Sequence, residues 1–262
     1  MSLIQVRPVL FSLGRWKVYS YGTALALSFL LGTWLVVRQV RRRGEPVEWV
    51  YDLALLVAVS AVAGARLLFV LLNWGDYAAH PAEIWHLTAG GLSMHGGFAA
   101  AFLAGLWFTR RRRLNPWAVA DLAAPPAALG TAVTRVGCFL NGCCYGLPAP
   151  PPWGMDACYL HDTLRYPVQL YESGLAFLLF LGLWRNREHR HFPGYLMFSF
   201  AGWYSVIRFA VEFLRDGPRL WPPLTLAQVA SLAIAAVAFA LMLLLDRRWA
   251  HSAAARGEGR GQ

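Results

Sequence analysis

The sequence predicts an all-α, polytopic membrane protein of seven transmembrane helices, with the N-terminus out and the C-terminus in. Three observations predict it. Hydrophobic residues make up 57% of the 262 and charged residues only 15%, against about 25% charged in a soluble domain. Seven apolar runs each approach the roughly 20 residues a helix needs to cross a bilayer. Basic clusters follow every second run, which is the charge pattern of cytoplasmic loops.

The runs fall near 19–37, 50–72, 94–109, 117–136, 168–184, 194–213 and 225–245. The third and fifth are short enough to tilt or to continue into the headgroup region. Arg38 with Arg41, Arg42 and Arg43 follows the first run, and Arg110 to Arg113 the third. Arg185, Arg187 and Arg190 follow the fifth, and Arg247 and Arg248 the seventh. The net charge of +10 therefore reads as topology signal and headgroup attraction, not as a nucleic-acid surface. No cleavable leader is expected, because no small-residue cleavage pattern follows the first apolar run. No internal repeat of the transporter kind is visible. Residues 1–250 are expected to form one transmembrane domain, and 251–262 a disordered cytoplasmic tail.

Two outer-face loops are expected, at 73–94 and 137–167. Trp74, Tyr77, Trp85, Trp153, Tyr159 and Tyr166 suit an interfacial belt there. The proline-rich stretch 148–152 marks an extended loop. Residues 1–17 are expected to form an amphipathic segment on the same surface.

Charge inside the apolar runs is the functional signal. An ionised side chain at mid-bilayer costs roughly 2.5–3.5 kcal/mol on insertion scales, so such residues are paired or used. In the sixth run Tyr204, Arg208 and Glu212 recur at every fourth residue and share one helix face. They read either as a structural ion pair or as an anion-binding stripe, with the planar Arg208 fork on a phosphate. In the fourth run, Arg135 lies in Gly130-Thr131-Ala132-Val133-Thr134-Arg135-Val136-Gly137-Cys138-Phe139-Leu140-Asn141-Gly142-Cys143-Cys144-Tyr145-Gly146. It either snorkels outward or serves a cavity lined by this glycine-rich backbone. His95 sits between glycine pairs at the mouth of the third run, as a structural residue or a base. Gln169 and Glu172 share a face at the start of the fifth. Arg66, near the middle of the second, is expected to find a carboxylate. The topology puts His95, Arg135, Glu172 and Glu212 in the outer half of the membrane, where a reaction centre would open sideways to lipid.

Taken together, these segments resemble the prolipoprotein diacylglyceryl transferase family of bacterial inner membranes. The resemblance rests on Tyr21-Gly22, Gly64-Ala65-Arg66, 90–97 with His95, 130–142 with Arg135 and Asn141, 167–172, 204–212 and Gln228. It implies seven spans with an outward N-terminus. It implies transfer of diacylglyceryl from phosphatidylglycerol to the thiol of a lipobox cysteine in a prolipoprotein signal peptide, giving a thioether and glycerol phosphate. No metal or organic cofactor, and no nucleic acid, is implied; the partners are the two substrates and membrane lipids. His95, Arg135 and Arg208 become the catalytic candidates. Tyr21, Arg66, Asn141, Glu172, Tyr204 and Glu212 become the substrate-binding ones. The chain departs from the family pattern Arg-x-Gly-Asn-Phe-x-Asn-Gly-Glu at Cys138 and Cys143, which replace the first Asn and the Glu.

Cys138, Cys143, Cys144 and Cys158 all fall in one outer segment. They leave open a disulfide from Cys158 to Cys143 or Cys144, inert thiols, or a redox or metal role. The C-x4-C-C spacing matches no closed structural zinc pattern. A thiol-redox membrane protein and a non-catalytic lipid-binding or transport protein are the rival readings.

Overall fold

A computed structural model describes residues 6–14, 16–86, 90–156, 163–189, 192–215 and 224–255. The chain is mostly helical. Among the described residues a two-stranded hairpin precedes eight α-helices: α1 Ser20–Arg42, α2 Glu48–Leu72, α3 Trp74–Ala79, α4 Met94–Arg111, α5 Pro116–Leu140, α6 Val168–Asn186, α7 Tyr195–Glu212 and α8 Leu226–Ala255. A 3-10 turn spans Pro81–Trp85. Each expected span coincides with a long helix, and α3 and the 3-10 turn lie in the 73–94 loop. By length and apolarity alone, α1, α2 and the stretch Leu226–His251 of α8 can cross a membrane. Large apolar side chains such as Leu55, Phe98, Phe102 and Leu178 are exposed, as lipid-facing residues are.

The N-terminal segment, expected to be amphipathic, is a hairpin. Strands β1 (Val9–Leu13) and β2 (Trp16–Tyr19) pair antiparallel, with Val9 opposite Tyr19 and Phe11 opposite Val18. Gly14 takes a positive φ of 60° in the turn, which glycine adopts without strain. β-branched and aromatic residues favour this pairing over a helix. The backbone N–H of Arg7 then donates to the carbonyl of Leu140 at 2.7 Å, tying the hairpin to the end of α5. At the other terminus α8 continues through Ala255 on helix-forming alanines. The rest of the expected tail, 256–262, lies outside the described residues.

The chain divides into two compact units, Met1–Leu35 with Ala120–Gln262, and Val36–Val119. In the second unit α2 and α4 touch through glycines. A Cβ on Gly64 would sit 2.2 Å from Ala100 Cβ, and one on Gly96 would sit 2.3 Å from the Gly64 carbonyl. Small residues permit such backbone contact where lipid gives helices no hydrophobic drive to associate.

In the first unit Gly137 plays the same part between α1 and α5, since its Cβ would meet Ala24 Cβ at 2.4 Å. The Ser28 hydroxyl adds a bond to the Gly130 carbonyl at 3.1 Å. Asp121 on α5 takes N–H donors from Gly194 (2.7 Å) and Met197 (3.0 Å) at the start of α7. A carboxylate there satisfies orphan amides and complements the helix dipole. Ser173 on α6 donates to the Ala132 carbonyl of α5 at 2.8 Å. At the head of α8, Thr225 and Gln228 form a reciprocal capping box. The Thr225 N–H donates to Gln228 Oε1 at 2.9 Å, and the Gln228 N–H to Thr225 Oγ1 at 3.2 Å. These fastenings fix where α5, α6, α7 and α8 present their polar side chains.

Candidate active site

The first unit gathers most of the residues singled out from the sequence. Arg135, on the last turns of α5, pairs through Nε with Glu172 Oε2 on α6 at 3.0 Å. The Tyr204 hydroxyl on α7 donates to the other oxygen of Glu172 at 2.7 Å. Three helices thus meet at one carboxylate whose side chain is 3% exposed. Burying that charge is sustainable because both oxygens are engaged.

One turn along α7, Arg208 Nη2 pairs with Glu212 Oε2 at 2.6 Å. The Thr225 hydroxyl donates to Glu212 Oε1 at 3.1 Å. Glu212 therefore has a hydrogen bond on Oε1, while Oε2 makes the ion contact with Arg208 without an aligned hydrogen bond among the described residues. Arg208 Nη1 is buried and has no hydrogen-bond partner among the described residues. An orphaned buried donor of a charged group costs at least about 1–3 kcal/mol. A phosphate oxygen is the chemistry that would satisfy it.

Beside Arg135 the chain leaves α5 in a tight turn. Gly142 has φ 69° and Cys144, unusually for a residue with a Cβ, has φ 63°. The Cys143 N–H donates back to the Cys138 carbonyl at 3.1 Å. The Gln169 side-chain amide donates to the Cys143 carbonyl at 2.8 Å. The sulfurs of Cys138, Cys143 and Cys144 lie within 4.8 Å of one another, and all three thiols are free. Hydrogen bonds from the Cys138 and Cys143 thiols hold the Cys144 thiol below its usual range, and the charges of Arg215 and Arg135 act in the same direction against burial. Tyr21 feels Arg135 and all three cysteines, so it belongs to this cluster. Asn141 interacts with the Cys143 thiol. Cys158 lies outside the described residues, and so does any disulfide it forms.

Arg66 and His95 fall in the second unit. Arg66 is buried, but its partners differ from the expected carboxylate. Nε donates to the Ile84 carbonyl (2.8 Å), Nη1 to those of Gly90 and Gly91 (both 3.0 Å), and Nη2 to that of Glu83 (2.5 Å). Its guanidinium also lies 5.1 Å from the centre of the Tyr77 ring. Backbone carbonyls carry enough partial charge to hold a guanidinium without a counter-ion. His95 is exposed in the first turn of α4.

Sequence reasoning missed four contributors. Asp121 and Thr225 act on helix ends, and the Thr225-x-x-Gln228 spacing was a legible capping signature. Arg165 is buried, donates to the Gly146 carbonyl at 3.4 Å and lies 4.6 Å from the centre of the Tyr145 ring. Arg215 pairs with Gly146 in a β-bridge. No local pattern marks either arginine.

The prolipoprotein diacylglyceryl transferase family model matches residues 8–244. The chain belongs to this family. It is 34% identical over 256 residues to proteins of Bacillus cereus and Bacillus anthracis named phosphatidylglycerol–prolipoprotein diacylglyceryl transferase, with 94% of this chain and 94% of each relative covered. Membership and the apolar helices make it a membrane protein.

Proposed function

We propose that this transferase moves a diacylglyceryl group from phosphatidylglycerol to the thiol of a lipobox cysteine in prolipoprotein signal peptides. The product is a thioether, and glycerol phosphate leaves. The single observation that carries the reading is the α7 stripe. Tyr204 and Arg208 there complete two arginine–carboxylate units, and the buried Arg208 Nη1 has no hydrogen-bond partner among the described residues.

The chemistry breaks the bond between the glycerol carbon and the phosphate oxygen. Negative charge on the leaving phosphate rises from one to two as the bond breaks. Preorganised cations stabilise that change better than water, because they need not reorganise. Arg208 and Arg135 serve as the clamp; Glu212 and Glu172 orient them; Tyr21, Tyr204 and Asn141 contact headgroup or glycerol oxygens. His95 is the candidate base for the acceptor thiol, and Arg66 orders the loop that leads into α4.

The chain acts as one membrane domain of seven spans in the bacterial inner membrane. The loops at 73–94 and 137–167 face out with the N-terminus, and the C-terminus faces the cytoplasm. Purified protein in vesicles containing phosphatidylglycerol, given a lipobox peptide, should raise the peptide mass by one diacylglyceryl group. A peptide with Ser for Cys should stay unchanged. If only thiol oxidation states change, the redox reading replaces this one.

A further inference from the structure

Three sulfurs converge beside Arg135; Cys138 is buried in the core, but Cys143 and Cys144 are only partly buried, and the phosphate clamp uses none of them. Cys138 ends a helix, while Cys143 and Cys144 return to it through a turn strained at a residue with a Cβ. Strain of about 1–3 kcal/mol persists only where surroundings fix it, and it gathers at functional sites. The surroundings here do fix it. Gln169 holds the Cys143 carbonyl, and the Gly146 N–H bonds the Tyr166 carbonyl at 3.1 Å. A Cβ on Gly146 would lie 2.7 Å from both the Leu214 and Tyr166 carbonyl oxygens, so the backbones close in tightly.

We propose that Cys138, Cys143 and Cys144 hold a zinc-class d10 ion whose fourth position is open to the acceptor thiol. Zinc bonds thiolate sulfur at about 2.3 Å, which sets sulfurs in a tetrahedron about 3.8 Å apart. The triangle observed, with no side above 4.8 Å, reaches that size by small side-chain rotations. Three protein ligands with one open position is the catalytic pattern of zinc, as opposed to the closed four-ligand structural one. It differs from the expectation that the site needs no metal. Three thiolates and one divalent ion carry a net charge of −1, which the charge of Arg215 offsets, Arg135 being paired with Glu172.

The inference rests on the proposed transfer and gives the thiol-activating role to the ion in place of His95. The acceptor thiol binds the ion and loses its proton to solvent, since a coordinating thiol is deprotonated outright. Its sulfur then attacks the glycerol carbon. One carbon–sulfur bond forms and one carbon–oxygen bond breaks, and the phosphate takes the electron pair under Arg135 and Arg208. The neutral thioether is a poor ligand and leaves.

The test uses the full chain, reduced and in detergent. One equivalent of zinc should bind and resist dialysis. Cys138→Ser, Cys143→Ser and Cys144→Ser should each lose it, and Cys158→Ser should keep it. Cobalt exchanged into the unsubstituted protein should give sulfur charge-transfer bands and tetrahedral visible bands. A lipobox peptide should shift those bands, and its Ser analogue should not. No stoichiometric metal, loss of metal in Cys158→Ser, or bands blind to the peptide thiol would each overturn the proposal. Metal-free protein that still transfers diacylglyceryl at full rate sinks this inference and leaves the transferase reading standing. Metal binding and a peptide-induced shift without transfer from phosphatidylglycerol does the reverse.

Discussion

Arg135 and Arg208 look equivalent in the sequence and are not equivalent in their surroundings. Arg135 shares its carboxylate with Tyr204, whereas Arg208 has a buried nitrogen with no hydrogen-bond partner among the described residues. Arg208→Ala should lower the transfer rate by about 100- to 1,000-fold, the range for loss of one preorganised donor. Arg135→Lys should fail nearly as badly, because a point charge cannot hold Glu172 and a phosphate in one plane. Tyr204→Phe removes a hydrogen bond to a charged group, worth roughly 1.5–3 kcal/mol, so its loss should be roughly 10- to 100-fold. Steady-state transfer with folded variants checks all three; a Tyr204→Phe defect equal to that of Arg208→Ala would mean the phenol does more than orient Glu172. Charged residues in apolar runs were legible because they are expensive to leave unpaired. Arg66 shows the limit of that logic. Its acceptors are carbonyls, which every residue carries, so nothing in the sequence marks them. Arg66→Ala removes four hydrogen bonds to carbonyls and should cost several times the roughly 1 kcal/mol of one hydrogen bond, read as a lower unfolding temperature in detergent.

At the scale of elements, the helices were legible and their fastenings were not. Period and length marked every long helix, since an apolar run of some 20 residues suits a spanning helix and little else. The hairpin at 9–19 was not legible as such, because residue 15 and the turn around Gly14 carry no strong hairpin pair, and amphipathic strand and helix differ little over so few residues. Thr225 links helix geometry to chemistry: it caps α8 and also holds Glu212. Thr225→Val keeps the shape and removes both bonds. It should cost about 1 kcal/mol in stability through the lost cap and lower transfer by more than that loss explains. Thr225→Ser should restore both. If Thr225→Val unfolds more easily but transfers at the full rate, Glu212 is a structural partner of Arg208 and not its orienter. Gly137→Ala probes the other contact, where a Cβ would approach Ala24 Cβ to 2.4 Å. Overpacking of this kind costs typically 1–3 kcal/mol, and here it also displaces the turn that starts at Cys138.

For the whole molecule, the charge distribution makes the sharpest prediction. Clusters of arginine close α1 and α4, and further basic residues follow α6 and sit near the end of α8. In contrast, the 73–94 loop contains no Lys or Arg at all. Only one orientation puts every cluster on the side where short basic loops are retained. Reporters inserted after Gly44, after Arg113 and at the C-terminus should therefore respond as cytoplasmic, and one after Asp76 as external. Replacing Arg110 to Arg113 by serine should lower the uniformity of that pattern first at the neighbouring loops, because the retained charge, not helix hydrophobicity, sets direction there. The same orientation decides whether the chemistry is possible. For the proposed substrate, the turn at 141–144 and the Glu212 end of α7 must open on the outer leaflet, where a signal peptide that has crossed the membrane presents its thiol. A C-terminal reporter that responds as external would turn Arg135, Glu172 and the three sulfurs toward the cytoplasm, and would separate the site from the substrate proposed for it.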